Sequence, residues 1–308
     1  MLLYFREVKP IFRDCYFEYA GKYSGDYNLV MAYVDDSYKE FDSGGKYEIS
    51  TDTLPASAET LLYGLKQSEN PLEFSVEIVN PDSSIPFEQM HEIKEWLFGQ
   101  DGWKKLIIAS EEFYGYHLKC LLVPETDIVD AAGYRGVKCT IKNISAYWYG
   151  EDETITYTKD DIISIVGEDG SGLSDGGNMW VSLNIKGHCP SKICPVINFK
   201  SPSTNKPYGA AYMAFYVHNN SSFTESGVSM WLASEYADDV FNFDCKYCTI
   251  TADGISKQYT PNNTKYDLFY FVKGVNKVGI GLKDIDGNFT PYEYISFTYT
   301  PMYRIGGF

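Results

Sequence analysis

The fold of this chain is decided by residues 85–99, which read Ile85-Pro86-Phe87-Glu88-Gln89-Met90-His91-Glu92-Ile93-Lys94-Glu95-Trp96-Leu97-Phe98-Gly99. Apolar side chains recur there at steps of three and four residues, the spacing that places them on one face of a helix. This apolar stripe consists of Phe87, Met90, Ile93, Trp96 and Leu97. Pro86 suits the start of a helix, and Gly99 can take the left-handed conformation that often ends one. We therefore predict a helix over residues 86–98 that packs through its stripe onto a sheet.

Short alternating segments on both sides of this helix predict β-strands. In the first half they cover residues 28–34, 72–79, 103–108, 116–123 and 137–148, and a polar linker follows at 150–161. In the second half they include residues 179–186, 228–232 and 294–299, with turn signals between the strands. The sequence therefore predicts a mainly β fold with two domains: an N-terminal β-sandwich with one packed helix over residues 1–155, and a C-terminal β-sandwich or jelly roll over residues 156–308.

The charge of the chain is unevenly distributed between these two halves. The formal net charge is −16, and residues 1–155 hold 27 acidic against 14 basic residues, so most of the excess lies in the first domain. Such a field repels nucleic acid and argues against a DNA- or RNA-binding protein. No apolar run reaches about 18 residues, and Arg6 and Glu7 come too early for a signal peptide. We expect a soluble protein that is made in a cytoplasm and has no membrane-spanning segment.

Motifs that carry chemistry are missing from the sequence. His91-Glu92 begins like a zinc-protease helix, but Glu95 stands where the second histidine must fall. Cys245 and Cys248 have a spacing typical of zinc ligands, yet residues 241–250 are typical of a strand, where positions three apart point to opposite faces. We therefore expect no catalytic residues, no metal site and no cofactor, and hence no enzyme.

Two tryptophans occupy the polar faces of predicted strands. In residues 179–186 the apolar face holds every second residue from Met179, so Trp180 shares the other face with Ser182. Trp231 likewise falls beside Ser229. A tryptophan on a polar face needs a cover, which is either another piece of protein or the ring of a sugar. Both readings remain open from the sequence.

The order of these elements carries a resemblance to a known family. The features that match are a strand pair within residues 17–34, the strand at 72–79, the helix that ends in Ile93-Lys94-Glu95-Trp96-Leu97, and the three strands that follow it up to Tyr147-Trp148. Residues 10–150 thereby resemble the distal tail protein family of long-tailed, siphovirus-type bacteriophages. The resemblance implies an N-terminal ring-forming (belt) domain and a C-terminal galectin-like or jelly-roll domain.

The function that this resemblance implies is structural. Six copies would form a homo-hexameric ring that joins the tail tube to the hub proteins of the tail tip or baseplate. The protein would then lie in the virion after its synthesis in the bacterial cytoplasm, and DNA would pass through the ring without specific binding. Because an acidic wall repels phosphate, we expect the lumen to carry a net negative charge. The alternative is a carbohydrate-binding module that recognises a host-surface glycan through Trp180 and Trp231.

Overall fold

The chain divides into two units in the computed structural model. The structure describes residues 15–32, 47–53, 60–67, 70–81, 85–129, 135–174, 177–188, 193–200, 211–219, 226–232, 240–247, 249–252, 255–256, 265–266, 270–282 and 287–304. The first unit extends to Gly150 and takes up the chain again at Tyr303, and the second unit is Glu151–Met302. The second unit is therefore inserted near the end of the first. The predicted division at residue 155 does not contain this return of the chain to the first unit.

The first unit is built on one seven-stranded antiparallel sheet. The strands of this unit are β1 (Phe17–Tyr19), β2 (Lys22–Tyr23), β3 (Val30–Ala32), β4 (Tyr47–Thr53), β5 (Thr60–Gln67), β6 (Glu73–Val79), β7 (Lys104–Ile108), β8 (Leu118–Val129), β9 (Arg135–Asn143) and β10 (Trp148–Tyr149). The sheet has the order β2-β1-β7-β8-β9-β6-β3, and β4 and β5 form a separate hairpin. Helix α1 (Phe87–Phe98) lies between β6 and β7 in the chain, and two short 3-10 turns (Ser24–Tyr27 and Glu111–Phe113) complete the unit.

Helix α1 buries four residues of the predicted stripe in one core with the sheet: Met90, Ile93, Trp96 and Leu97. The Trp96 ring stacks on Phe17 and Tyr27, and its indole N–H donates to the Tyr19 carbonyl oxygen over 2.9 Å. Phe87 corrects the prediction, because this first residue of the helix is 80% exposed. A residue one turn ahead of Met90 lies on the flank of the stripe, where the sheet no longer covers it.

Gly99 ends the helix by a different means from the one predicted. Its φ is −80°, so it does not take the left-handed conformation. A Cβ at this position would instead lie 2.5 Å from the Glu95 carbonyl oxygen. Glycine is therefore required by a close approach of the backbone, and the Gly99 amide donates to that same oxygen over 2.9 Å.

The second unit contains two antiparallel sheets. Its elements are β11 (Glu153–Thr158), α2 (Lys159–Val166), β12 (Asn178–Ile185), β13 (Val196–Lys200), β14 (Ala211–Asn219), β15 (Ser226–Leu232), β16 (Val240–Asp244), β17 (Thr249–Ala252), β18 (Ile255–Ser256), β19 (Lys265–Tyr266), β20 (Gly274–Gly281) and β21 (Tyr294–Tyr299). The last strand, β22 (Met302–Tyr303), lies where the chain passes back into the first unit. One sheet has the order β11-β21-β13-β16-β17-β18, the other β12-β20-β14-β15-β19. A continuous apolar core includes residues of both sheets, among them Leu183, Ile280, Phe243 and Phe297.

Two segments of the second unit differ from the sequence prediction. The expected linker at 150–161 contains β11 and the start of α2, a helix that was not predicted. Its signal is a capping box: the Asp161 amide donates to the Thr158 hydroxyl, and the Thr158 amide donates to the Asp161 carboxylate. Residues 241–250 are not one strand either, because a turn at Cys245 separates β16 from β17 and the Asp244 carboxylate accepts from the amides that follow.

The predicted fold class is confirmed. Both units are mainly β, their sheets are antiparallel, and the helix of the first unit packs where the periodicity of residues 85–99 places it.

Candidate interaction surfaces

Trp180 lies on the outer face of the five-stranded sheet in the second unit. The residues that alternate with it, Met179, Val181 and Leu183, are buried in the core, while Ser182 is exposed. Strand alternation therefore places Trp180 on the polar side, as the sequence indicated. The side chain is half-buried.

The Trp180 ring lies flat above a glycine on the neighbouring strand. The register of β12 and β20 sets Trp180 opposite Gly279, and a Cβ on Gly279 would lie 2.9 Å from Cη2 of the ring. The indole N–H donates to the Ser174 hydroxyl over 2.9 Å, and Lys277 Nζ lies 5.2 Å from the ring centroid. The glycine makes room for the ring, and the hydrogen bond fixes its orientation.

The register extends this outer face over the whole five-stranded sheet. It holds every second residue of residues 178–184, 275–281, 212–218 and 227–231, together with Lys265. Of the positions that these described strands place there, none is Asp or Glu. In a chain with 42 acidic residues this is an unusual local composition. We call this surface the Trp180 face.

Trp231 occupies the same face by register. It pairs with Tyr212 on β14, four residues along from Gly227, which belongs to the lateral row of Trp180 and Gly279. Three strand spacings and four residues of rise separate the two tryptophan positions by roughly 19 Å. One sugar ring cannot contact both, whereas an extended chain of sugars can.

The first unit carries a different kind of exposed surface. On the sheet face opposite α1, Lys105 and Ile107 alternate with the buried residues of β7, and Leu121 and Val123 alternate with those of β8. Trp103, which directly precedes β7, is 49% exposed. We call this surface, together with Lys119 and Lys142, the Trp103 face.

Charge on the Trp103 face is arranged in cross-strand pairs. Lys142 Nζ lies 3.1 Å from the Glu73 carboxylate, whereas Lys105 is paired in register with Lys119. Two lysines directly opposite each other on adjacent strands repel. The Lys119 ammonium lies 4.7 Å from the ring centroid of Tyr149, an attraction that offsets part of this repulsion.

A hydroxyl-bound carboxylate lies at the bulge in β8. Glu125 accepts hydrogen bonds from the hydroxyls of Thr140 and Ser75, and Lys138 Nζ lies 3.4 Å away. These hydrogen bonds, and after them the lysine, lower the pKa of Glu125. All of these groups stabilise the carboxylate form, which suits a structural ion pair better than an acid catalyst.

Exposed aromatic and acidic side chains lie on the helix side of the first unit and in its turns. Phe87 begins the helix, and Glu88 and Glu95 lie on its exposed side. Tyr114, in the turn after the second 3-10 turn, is 87% exposed. The sequence pattern places Trp103 at the start of a predicted strand but does not mark it as a contact residue, and Tyr114 belongs to no periodic segment.

The end of the described chain completes the first unit. The Tyr303 ring packs edge-on against Tyr116, with ring centroids 5.0 Å apart. Arg304 lies over the Tyr147 ring, 5.2 Å from its centroid, and donates from Nη2 to the Tyr147 hydroxyl over 3.2 Å. These contacts join residues far apart in the sequence, and no sequence signal predicts them.

Among the residues that the structure describes, no three His, Cys, Asp or Glu side chains are grouped so that they could hold a metal ion. None of the helices in that part is long and apolar enough to cross a membrane.

Comparisons with known proteins agree with this architecture. The family model of the phage tail protein N-terminal domain matches residues 12–145, and the resemblance of this part of the chain to a phage tail family is confirmed. A search of the curated proteins finds no match. The crystal structure of the Dit (gp 19.1) protein of phage SPP1 is similar with a TM-score of 0.58 and 11% identity, over 94% of this chain and 98% of that one. A chain of the phage P2 baseplate, in its activated conformation with Ca, is similar with a TM-score of 0.50 and 10% identity, over 93% and 97%.

Proposed function

We propose that this protein, a phage tail protein by its N-terminal domain and similar in fold to Dit, is a distal tail adaptor. Six copies form a ring that joins the tail tube to the hub proteins of the tail tip or baseplate. The observation that carries the proposal is the fold shared with SPP1 Dit along 94% of this chain. That protein's structure is described as a paradigm of the hub adsorption apparatus in phages that infect Gram-positive bacteria. We assign no catalytic role, cofactor or metal to the chain with the sequence given above.

The surfaces of the first unit support assembly into a ring. A closed ring of identical subunits uses two different patches on each subunit, which meet head to tail. Exposed aromatic residues, which are enriched in protein interfaces, lie on both sides of the first unit's sheet. Phe87 lies on the helix side, and Trp103 lies on the opposite side. We therefore propose that the first unit, rather than the second, closes the ring.

Light scattering coupled to size-exclusion chromatography tests the ring directly. A hexamer has about six times the mass of the 34.9 kDa chain. We expect Trp103→Glu and Phe87→Glu to shift the protein to smaller species, because each places a charge in a subunit contact. Tyr247→Glu is the matched control, since Tyr247 is also an exposed aromatic residue but belongs to the second unit. A wild-type protein that stays monomeric at high concentration contradicts the proposal.

The charge of the lumen gives a second test of the ring. DNA must pass through an adaptor at this position, and basic walls would retain it through counterion release. We propose that the lumen-facing residues have a net negative charge, drawn from the 27 acidic residues of residues 1–155. Only residues within about 8 Å of the DNA surface matter at physiological salt. A structure of the assembled ring with a neutral or basic lumen would overturn this point without affecting the ring itself.

A second candidate function concerns the second unit: binding of a host-surface glycan. The observation that favours it is the placement of Trp180 and Trp231 on one outer sheet face. Flat aromatic rings on an accessible face are what a sugar ring stacks on. We expect glycan-array binding to be lost in Trp180→Ala and weakened in Trp231→Ala. Full binding by the double variant would exclude these residues.

A further inference from the structure

The Trp180 face differs in charge from the rest of the chain. The chain as a whole has a net charge of −16, yet the described strands place no acidic residue on this face. Basic residues do occur there: Lys277, which is exposed, and, by register, Lys265 and His218. The face therefore combines the Trp180 ring with the Lys277 ammonium, and the neighbouring strands add aromatic and basic positions by register.

Lys277 has a specific position relative to the tryptophan. Its ammonium nitrogen lies 5.2 Å from the centroid of the Trp180 ring, within the range of a cation–π contact. A ligand ring that stacks on Trp180 must share the indole with this ammonium or displace it. A neutral sugar offers the displaced ammonium no charged partner. A carboxylate or phosphate on the ligand does, through a charge-assisted hydrogen bond.

We infer that the Trp180 face binds an anionic polysaccharide, with one sugar ring on Trp180 and an acidic substituent at Lys277. The inference rests on the second candidate function and adds to it the chemical class of the ligand. The span of roughly 19 Å to Trp231 fits a polymer rather than a single sugar. The carboxylate of a uronic acid and the phosphate of a cell-wall polymer offer the same chemistry to Lys277.

A single-stranded nucleic acid also combines rings with negative charge, but it fits this face less well. It carries a phosphate at every nucleotide and gains much of its affinity from many basic residues along the strand. The described strands of the Trp180 face supply two lysines and a histidine in a strongly acidic protein. Sparse cations beside flat aromatic rings favour a polymer with larger distances between its charges.

Calorimetric titration of the full-length protein tests the inference with named probes. These are tetragalacturonate for the carboxylate, a glycerol-phosphate polymer for the phosphate, maltotetraose as the neutral glycan, and a thymidylate oligomer for nucleic acid. We expect at least one anionic glycan to bind about tenfold more tightly than maltotetraose and to weaken with added salt. The tighter of the two anionic probes identifies the source of the charge.

Variants distinguish the contributions of the ring and the charge. Lys277→Gln should lower the affinity for the anionic glycan about tenfold and leave that for maltotetraose unchanged. Trp180→Leu, which keeps an apolar cover over Gly279, should weaken both about tenfold. The matched control is Lys246→Gln, because the ammonium nitrogen of Lys246 lies 5.1 Å from the ring centroid of Tyr247 in the turn between β16 and β17, which belong to the other sheet. It should change neither affinity by more than about twofold.

The outcomes separate this inference from the function on which it rests. If maltotetraose binds as tightly as the uronate and Lys277→Gln has no effect, glycan binding stands and the anionic ligand is wrong. If none of the glycans binds at millimolar concentration, both are wrong. Tighter binding of the thymidylate oligomer than of either anionic glycan would assign the face to nucleic acid and overturn the inference. Lys277 is exposed, so Lys277→Gln should fold normally and stay informative if Trp180→Leu does not fold.

Discussion

The two units cover their sheets in different ways. In the second unit, two sheets contribute to one apolar core, with Leu183 of one sheet and Phe297 of the other among its residues. In the first unit, one sheet packs against α1, and its other face leaves Lys105 and Val123 exposed. A sheet face that exposes both apolar and charged side chains can bury its apolar surface against a partner protein, whereas a sandwich has already buried the facing sides of its two sheets. This difference is the reason for proposing that the protein assembles through its first unit.

The two halves of the chain also differ in net charge. The acidic excess is concentrated in residues 1–155, whereas residues 156–308 hold 15 acidic against 12 basic residues. Net charge of one sign keeps identical surfaces apart in solution. A ring built from the acidic half would therefore have to place acidic patches of one subunit against basic patches of the next, and the Trp103 face carries Lys105, Lys119 and Lys142.

The largest expected effect is on the core of the first unit. Trp96 is 4% exposed, stacks on two rings and donates a hydrogen bond from its indole N–H. Trp96→Ala should lower the free energy of unfolding by about 3–5 kcal/mol, since it leaves a cavity and an unpaired carbonyl. Hydrogen exchange read by mass spectrometry should show faster exchange in β1 and β7 and unchanged exchange in β12 and β20.

The control lies on the same helix. Phe87→Ala removes a side chain of similar apolar character that is 80% exposed, so it should change the stability of the monomer by less than about 0.5 kcal/mol. Its effect should appear in the oligomeric state instead. Equal losses of stability in the two variants would mean that Phe87 packs against the unit after all.

Periodicity was sufficient to predict the helix but not its environment. The stripe from Met90 to Leu97 and the alternation around Trp180 follow directly from the residue pattern, because burial on one side imposes a period. Phe87 lies on the flank of the same stripe and is 80% exposed, and whether such a flank is covered depends on the position at which the sheet ends. That position is set by long-range strand pairing, which one sequence does not reveal.

Some features of the candidate surfaces follow from the residue pattern, and others depend on strand register. Trp180 and Trp231 were identified because strand alternation alone places them on a polar face. The contact with Lys277 depends on the register of β12 against β20, which the pattern does not contain. Helix α2 was predictable in principle, since Thr158-x-x-Asp161 ahead of Ile162 is a capping signature that can be read from the sequence.

The next effect concerns the segment that returns to the first unit. Arg304 contacts Tyr147 through both its ring and its hydroxyl. Arg304→Ala should destabilise the first unit by about 1–2 kcal/mol, since it removes a hydrogen bond and a cation–π contact. Urea denaturation of the full chain measures it, with Lys273→Ala, at an exposed lysine of the second unit, as the control. No difference between the two would mean that the segment only continues the chain.

A smaller effect is expected at the start of α2, in the second unit. Thr158→Ala removes the side-chain cap and should cost about 1 kcal/mol of stability in that unit alone. The Thr158 hydroxyl also donates to Asp161, and this hydrogen bond lowers the pKa of Asp161. The stabilisation is fully present above the ordinary pKa of an aspartate and is lost as the pH falls through the lower, folded value. Thermal unfolding from pH 6 to pH 2 should therefore depend less on pH in Thr158→Ala than in the wild type; identical slopes would contradict the capping role.

The smallest expected effect is a gain in the first unit. The tight turn between β1 and β2 places Ala20 at a φ of 52° and Gly21 at 77°, and alanine, unlike glycine, adopts such an angle only with strain. Ala20→Gly should raise the free energy of unfolding by about 0.5–1 kcal/mol, because the relief of strain exceeds the added flexibility of the unfolded chain. Asn28, at a φ of 51°, is the matched comparison. Asparagine tolerates this region, and its amide donates to Asn80 over 3.2 Å, so Asn28→Gly should give no gain. A stabilised Asn28→Gly together with an unchanged Ala20→Gly would show that the strain lies elsewhere in this unit.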